Sequence, residues 1–193
     1  MHRSIVAAAL ILSAQAGAAQ TPAPPPPPPP PPPVAPAEPC RSPEARQFDF
    51  WLGSWELKGK SRARPGSNEW RETRSVNTIR KALDGCVIQE SFKSLAPASW
   101  TGMSVSVWDP AAAQWQQTWV DSQGSYIALT GEFKDRRMTL TTAPRTLPDG
   151  SSIRNRMVFY AITANSLQWD WDLSHDGGQT WEVMWTIGYR RRN

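Results

Sequence analysis

The chain has 193 residues, 39% of them hydrophobic and 20% charged, enough for one ordinary domain. Its 21 Lys+Arg against 17 Asp+Glu give a formal net charge of +4, dispersed rather than gathered into one run, which argues against nucleic acid as a partner. Two counts are unusual: 19 prolines, 13 of them between Pro22 and Pro39, and 11 tryptophans, all at or after Trp51.

The chain opens with His2 and Arg3, then the apolar run Ile5 to Leu12, then small residues at Ala16, Gly17, Ala18 and Ala19. A short charged region, a short apolar region and an Ala-x-Ala exit predict a cleaved secretory signal peptide over residues 1–19. The run is too short for a membrane span, which needs roughly 20 apolar residues. The expected location is therefore periplasmic or secreted. Residues 20–39 read as a proline-rich disordered tether around ten consecutive prolines, Pro24 to Pro33. At ~3.1 Å per residue in polyproline II, that tract spans about 30 Å as a semi-rigid spacer. It can act as a plain spacer or as a ligand for an aromatic Pro-binding groove. No lipobox precedes Cys40, because Ala37, Glu38 and Pro39 stand there.

Cys40 and Cys86 are the only cysteines, and an even pair in an exported chain predicts one disulfide. Closing that loop stabilises the fold by on the order of 4 kcal/mol in the chain-entropy picture. A redox pair is the competing reading, but there is no Cys-x-x-Cys spacing.

From Cys40 to residue 193 the chain reads as a single β domain of short period-two segments, with turn signals every eight to twelve residues. The predicted strands are Trp55 to Lys60, Trp70 to Arg80, Cys86 to Lys93, Gly102 to Asp109, Trp115 to Asp121, Tyr126 to Phe133, Met138 to Thr142, Arg154 to Thr163, Ser166 to Ser174 and Trp181 to Arg190. Such a meander predicts an all-β, roughly ten-stranded antiparallel barrel, with a two-sheet sandwich as the alternative.

The last three strands carry enough pattern to predict a register. Centring the final hairpin on Gly177 puts Leu173 opposite Trp181, Trp171 opposite Val183, Trp169 opposite Trp185 and Leu167 opposite Ile187. Centring the preceding hairpin on Ala164 puts Met157 opposite Trp171 and Phe159 opposite Trp169. One apolar face then runs across three strands. We expect the tryptophan face to point inward, so that Trp51, Trp55, Trp169, Trp171, Trp181 and Trp185 either fill the barrel or line a flat-walled pocket for a small hydrophobic or amphipathic molecule.

On the other face the same register sets Asp172 across from Glu182, with Arg156 also opposite Asp172. This is a solvated charge triad or, alternatively, an acid/base pair of the kind that hydrolyses sugars. The turn Ser174 to Trp181 matches the Asp-box pattern Ser-x-Asp-x-Gly-x-Thr-Trp, in which Asp176 bonds local amides and Gly177 and Gly178 take positive φ. It reads as a structural turn. No Cys/His metal spacing, His-Glu-x-x-His, phosphate loop or Gly-x-Ser-x-Gly elbow occurs, so no catalytic residue, metal or cofactor is predicted. Exposed tryptophans such as Trp70 and Trp100 could instead form a carbohydrate platform, and a filled-core interaction module is a further alternative. Nothing in the sequence specifies an oligomeric state.

Several separated motifs agree in order and spacing with one family: FDFWLGSW (Phe48 to Trp55), LDGCVIQESF (Leu83 to Phe92), VWDPAAAQWQQTW (Val107 to Trp119), and DGGQTW followed by Tyr189-Arg190. In these the chain resembles the exported members of the bacterial domain-of-unknown-function family 1579. The resemblance implies a calycin-like ten-stranded barrel, related in shape to lipocalins, fatty-acid-binding proteins and nitrobindins, with Trp51, Gly53 and Trp55 leading into the barrel. It implies no activity. Haem binding of the nitrobindin kind is disfavoured, because the only histidine left after signal cleavage is His175, in the final turn.

Overall fold

Period-two alternation becomes eleven strands in the computed structural model, which describes residues 40–192. The expected signal peptide and proline tether lie outside the described residues. The strands are β1 (Gly53–Arg62), β2 (Trp70–Ala82), β3 (Val87–Ala96), β4 (Trp100–Asp109), β5 (Gln114–Asp121), β6 (Tyr126–Lys134), β7 (Arg137–Thr141), β8 (Arg145–Thr146), β9 (Ser152–Tyr160), β10 (Ser166–Ser174) and β11 (Glu182–Arg191). All ten expected strands are present, and the two-residue β8, which has too little pattern to be read, is an addition paired to β9. Each strand pairs antiparallel with the next, β7 passes to β9, and β11 returns to β1, closing a ten-stranded barrel. Closure leaves no sheet edge among those ten strands, and it excludes the sandwich.

Strand alternation makes the barrel interior two-sided in chemistry. From β10, β11, β9 and β1 come Leu167, Ile187, Phe159, Trp55 and Leu57, all buried. The wall from β2 to β5 is mixed, with Thr73, Ser75, Asn77, Glu90, Ser94, Ser104, Ser106 and Gln117 buried among Ile79, Ile88, Phe92 and Trp115. On β4 the pattern is inverted relative to hydropathy: Ser104 and Ser106 are 1% and 0% exposed, while Met103, Val105 and Val107 face out at 39%, 43% and 38%. The small inward serines leave room that the large indoles opposite and beside them occupy.

One end of the barrel is plugged. Residues preceding β1 form two short 3-10 turns, Glu44–Arg46 and Asp49–Trp51, that fold Phe48 and Trp51 into the end where β1 and β3 begin. Phe48 packs edge-on to Trp115 at 4.8 Å and to Phe159 at 5.5 Å, and Trp51 meets Phe159 at 5.0 Å. Lys81 Nζ holds Asp49 Oδ1 at 2.9 Å, and Trp115 Nε1 donates to Gln47 Oε1 at 3.1 Å. The Cys40–Cys86 disulfide closes the same end, Cys86 following the 3-10 turn Leu83–Gly85 that leads into β3. Each fully buried aromatic of this plug contributes roughly 1.5–3 kcal/mol by the area removed from water.

The register of β9 on β10 is as expected, with Trp171 opposite Met157, Trp169 opposite Phe159 and Asp172 opposite Arg156. That of β10 on β11 is not. Leu167 pairs with Tyr189, Trp169 with Ile187 and Trp171 with Trp185, two residues along from the expected partners. A slip of two preserves the inward face, so the apolar pattern alone does not distinguish the two registers. Between Trp171 and Asp172 the pairing jumps to Val183, leaving Met184 as the extra residue of a bulge. The bulge reverses the alternation of β11, and Trp181 and Val183 lie on the outer face.

Candidate functional site

A cavity of about 220 Å³ occupies the barrel above the plug. Its depth is lined by buried residues, among them Trp51, Phe159, Leu129, Glu90 and Tyr189. Its upper part is lined by half-buried rings, Trp100 and Trp119 with Trp169, Trp171 and Trp185. Trp100 begins β4, Trp119 and Asp121 end β5, and Ile127 lies near the start of β6, so these residues mark the end of the barrel opposite the plug. Exposure thus increases from the plug toward that end, which is the mouth.

The collar is a chain of ring contacts. Trp169 stacks on Trp171 with planes 14° apart and meets Trp185 edge-on at 5.6 Å, while Trp100 contacts Trp185 at 6.4 Å and Trp119 at 6.2 Å. Phe92 packs beneath, 5.0 Å from Trp100 and 5.8 Å from Trp119. Two indole N–H groups are anchored to the wall: Trp185 Nε1 donates to Thr73 Oγ1 at 3.0 Å and Trp119 Nε1 to Asp121 Oδ2 at 3.1 Å. Asp121 also accepts from the backbone N–H of Gln123 and Ser125. Burial raises the Asp121 carboxyl, but the bonds from Trp119, Ser125 and Gln123 outweigh it and hold the pKa low.

Halfway down the mixed wall sits Glu90. Asn77 Nδ2 donates to one of its oxygens at 2.6 Å, and Ser104 Oγ bonds the other at 2.6 Å. Burial pushes its pKa up to about 7, against the pull of the bonds from Ser104 and Asn77. Asn77 Nδ2 also reaches the Tyr189 hydroxyl at 3.4 Å. Burial and the neighbouring Glu90 charge push that hydroxyl well above its usual range. Trp51 Nε1, buried at the floor, lies near the Tyr189 hydroxyl without a well-formed hydrogen bond.

Of the six tryptophans expected in a pocket, Trp51, Trp169, Trp171 and Trp185 line the cavity. Trp55 does not: it is fully buried beside the plug, its Nε1 donating to the Trp51 carbonyl at 2.7 Å and its ring meeting Tyr189 at 5.9 Å and the Arg191 guanidinium at 4.2 Å. Trp181 does not either, because the Met184 bulge turns it outward, where the Arg156 guanidinium covers it at 4.3 Å. Trp119 joins the lining although it was not expected there, and Trp100, expected to be exposed, also lines the cavity; period-two spacing with Gln117 and Gly102 marks both as inward positions. Trp100 faces inward and Trp70 lies under Arg62 and Lys60 at 4.5 and 5.0 Å, so the two do not form a shared platform for carbohydrate.

The charge triad dissolves into two unrelated contacts. Asp172 is 2% exposed and bonded to Arg156 Nε at 2.7 Å, with burial raising its pKa against the pull of Arg156. Glu182 pairs with Leu173 of β10 rather than with Asp172, and its carboxylate receives the Gly66 N–H at 3.0 Å and lies 3.4 Å from Arg62 Nε. The shifted register is the cause, and no acid/base pair results. In the final turn Asp176 accepts from the N–H groups of Gln179 and Thr180, each at 2.9 Å, and from the Ser174 and Thr180 hydroxyls, each at 2.6 Å. Those bonds, led by Ser174 and Thr180, drive its pKa far below the usual carboxylate range. Gly177 and Gly178 adopt φ of 73° and 106°. His175 is exposed in this turn and is not among the residues lining the cavity. No group of three or more metal-ligating side chains occurs among the described residues, and no described helix is long and apolar enough to cross a membrane.

No curated protein matches the sequence. Among solved structures, the fold resembles the S-type phycobiliprotein lyase of Guillardia theta, at 13% identity and a TM-score of 0.51 over 76% of this chain and 90% of that one. A protein of unknown function of the DUF3598 family from Nostoc punctiforme aligns over 76% of this chain and 98% of its own at 10% identity, with a TM-score of 0.22. At these identities the first likeness shows a common barrel architecture and nothing further. The family described as "Protein of unknown function (DUF1579)" matches residues 42–191, essentially the whole barrel, and the chain belongs to it.

Proposed function

We propose that this protein is a non-enzymatic binding protein that is exported and holds a small hydrophobic or amphipathic molecule in its barrel, with Trp51, Trp169, Trp171 and Trp185 among the contacting residues. The observation that carries this reading is the cavity of about 220 Å³, closed below by the Phe48–Trp51 plug and rimmed by half-buried indoles. A filled-core interaction module has no need of that space, and close packing would normally eliminate it. Export is supported by the sequence of residues 1–19 and by a disulfide of the kind that persists in oxidising compartments. The lyase with a similar barrel supports the choice of a ligand-holding fold and lends no substrate.

Native mass spectrometry of the chain purified without refolding, beside the denatured mass, tests the reading. The expected result is extra mass that disappears on denaturation, over a polypeptide two hydrogens lighter than its reduced form. An apo mass, together with unchanged tryptophan emission when a small hydrophobic fluorophore is titrated in, would favour the filled-core module.

A further inference from the structure

The cavity carries negative charge and no positive charge of its own. Glu90 and Asp121 line it, and no Lys, Arg or His is among the described residues that do. The protein's cations stack on other rings: Arg191 on Trp55, Arg62 and Lys60 on Trp70, Arg156 on Trp181, and Arg137 on Tyr160 at 5.2 Å, none of which lines the cavity. No Lys, Arg or His lies beside the indoles of the collar among the described residues lining the cavity. Glu90, 6% exposed, is held only by the neutral Asn77 and Ser104. A buried carboxylate without a counter-charge is costly, and the negative faces of aromatic rings attract cations most strongly where water is excluded. Because the N–H groups of Trp119 and Trp185 are engaged by Asp121 and Thr73, these two rings offer π surface rather than donors.

We propose that the cavity selects an organic cation, a small aryl- or alkylammonium whose charge lies against the indole collar within reach of Glu90 and whose apolar body fills the space above Trp51. The proposal rests on the reading of the cavity as a ligand site. An anion would face two carboxylates with no cationic side chain to receive it among the described residues of the lining. A neutral hydrocarbon would leave Glu90 as it is. A cation supplies the missing counter-charge and favours the ionised form of Glu90, so its affinity rises with pH through about 7. The groups facing Glu90 from neighbouring elements are Asn77 of β2, Ser104 of β4 and Tyr189 of β11, of which only Tyr189 titrates, and it stays protonated across that range.

Three probes of one shape separate the alternatives: benzyltrimethylammonium, its all-carbon counterpart neopentylbenzene, and the anion phenylmethanesulfonate. Each is titrated into the full chain at about pH 6 and about pH 8, followed by tryptophan fluorescence and calorimetry. The expected result is that the ammonium binds at least about tenfold more tightly than the hydrocarbon, tightens several-fold at the higher pH, and outcompetes the sulfonate. In Glu90→Gln the ammonium weakens and loses its pH dependence while the hydrocarbon is unaffected. The probe comparison on the unmodified protein stands even if that variant does not fold. Equal or tighter binding of the hydrocarbon or the sulfonate overturns the charge selectivity and leaves the site reading intact. Failure of all three to bind at millimolar concentration overturns both.

Discussion

The indole of Trp119 lies directly across the backbone of Gly102, so closely that a Cβ on Gly102 would collide with the six-membered part of the ring. The glycine sits on the inward face of β4, and its missing side chain is the space that lets Trp119 lie flat against the wall instead of standing in the cavity. Gly102→Val is therefore expected to push Trp119 into the cavity at a cost of roughly 1–3 kcal/mol, the usual range for overpacking. Chemical denaturation would read the stability, and tryptophan emission the displaced ring. A variant with wild-type stability and an unchanged spectrum would contradict the contact.

Glu90 predicts an unusual pH dependence of stability. Its folded pKa of about 7 stands above the ordinary 4.5, so between those values the folded protein keeps a proton that the unfolded chain has released. Stability from this group is thus greatest below about pH 4.5, falls as pH rises to about 7, and levels off above. Glu90→Gln should remove that slope and gain on the order of 3 kcal/mol relative to wild type near pH 8. Urea midpoints of both proteins across the range check it, and parallel pH slopes would refute it.

Trp55 and Trp100 should respond unequally to truncation. Trp55 is 0% exposed and bonded to the Trp51 carbonyl, so Trp55→Ala removes core packing and is expected to cost about 3–5 kcal/mol. Trp100 is half-buried at the mouth, and Trp100→Ala is expected to cost only about 1–2 kcal/mol while widening the collar. Thermal or urea unfolding of the two variants gives the order directly, and a reversed order would mean that the collar, not the plug, holds the barrel together.

The Asp176 turn should fail locally. Asp176→Ala strips the acceptor from the Gln179 and Thr180 amides and from the Thr180 hydroxyl. Faster hydrogen exchange is expected at those two amides, with protection of β1 and β2 unchanged. Equal exchange in the variant would show that the turn is held by its glycines alone.

Much of the architecture is legible from alternation. The ten barrel strands, their meander order and the pairing of Trp169 with Phe159 follow from period-two patterns and turn residues. The pairing of β10 with β11 does not, because period two fixes which face a residue shows but not which partner it meets, and Met184 adds a bulge that hydropathy does not mark. Trp181 is misplaced for that reason, and Asp172 and Glu182 are set together for the same one. The polar side chains of the mixed wall are hidden for a different reason. On β4 the valines face water and the serines face the interior, so burial there follows the space left by Trp119 and the bond to Glu90, not the transfer free energy of the side chain. Glu90 itself, between Ile88 and Phe92 in strict alternation, was readable as an inward carboxylate.

The molecule is mechanically uneven along its axis. The plug end is stapled by a covalent bond, packed by Phe48 and Trp51 and tied by Lys81 to Asp49, whereas the side chains of the collar end are joined by ring contacts and the bond from Trp185 to Thr73. Openings that cost least free energy will begin at the collar, and they can proceed without disturbing the floor. A guest would then enter and leave on the timescale of hairpin breathing rather than of unfolding, and its residence time could be altered at the rim with little change in the melting temperature of the barrel.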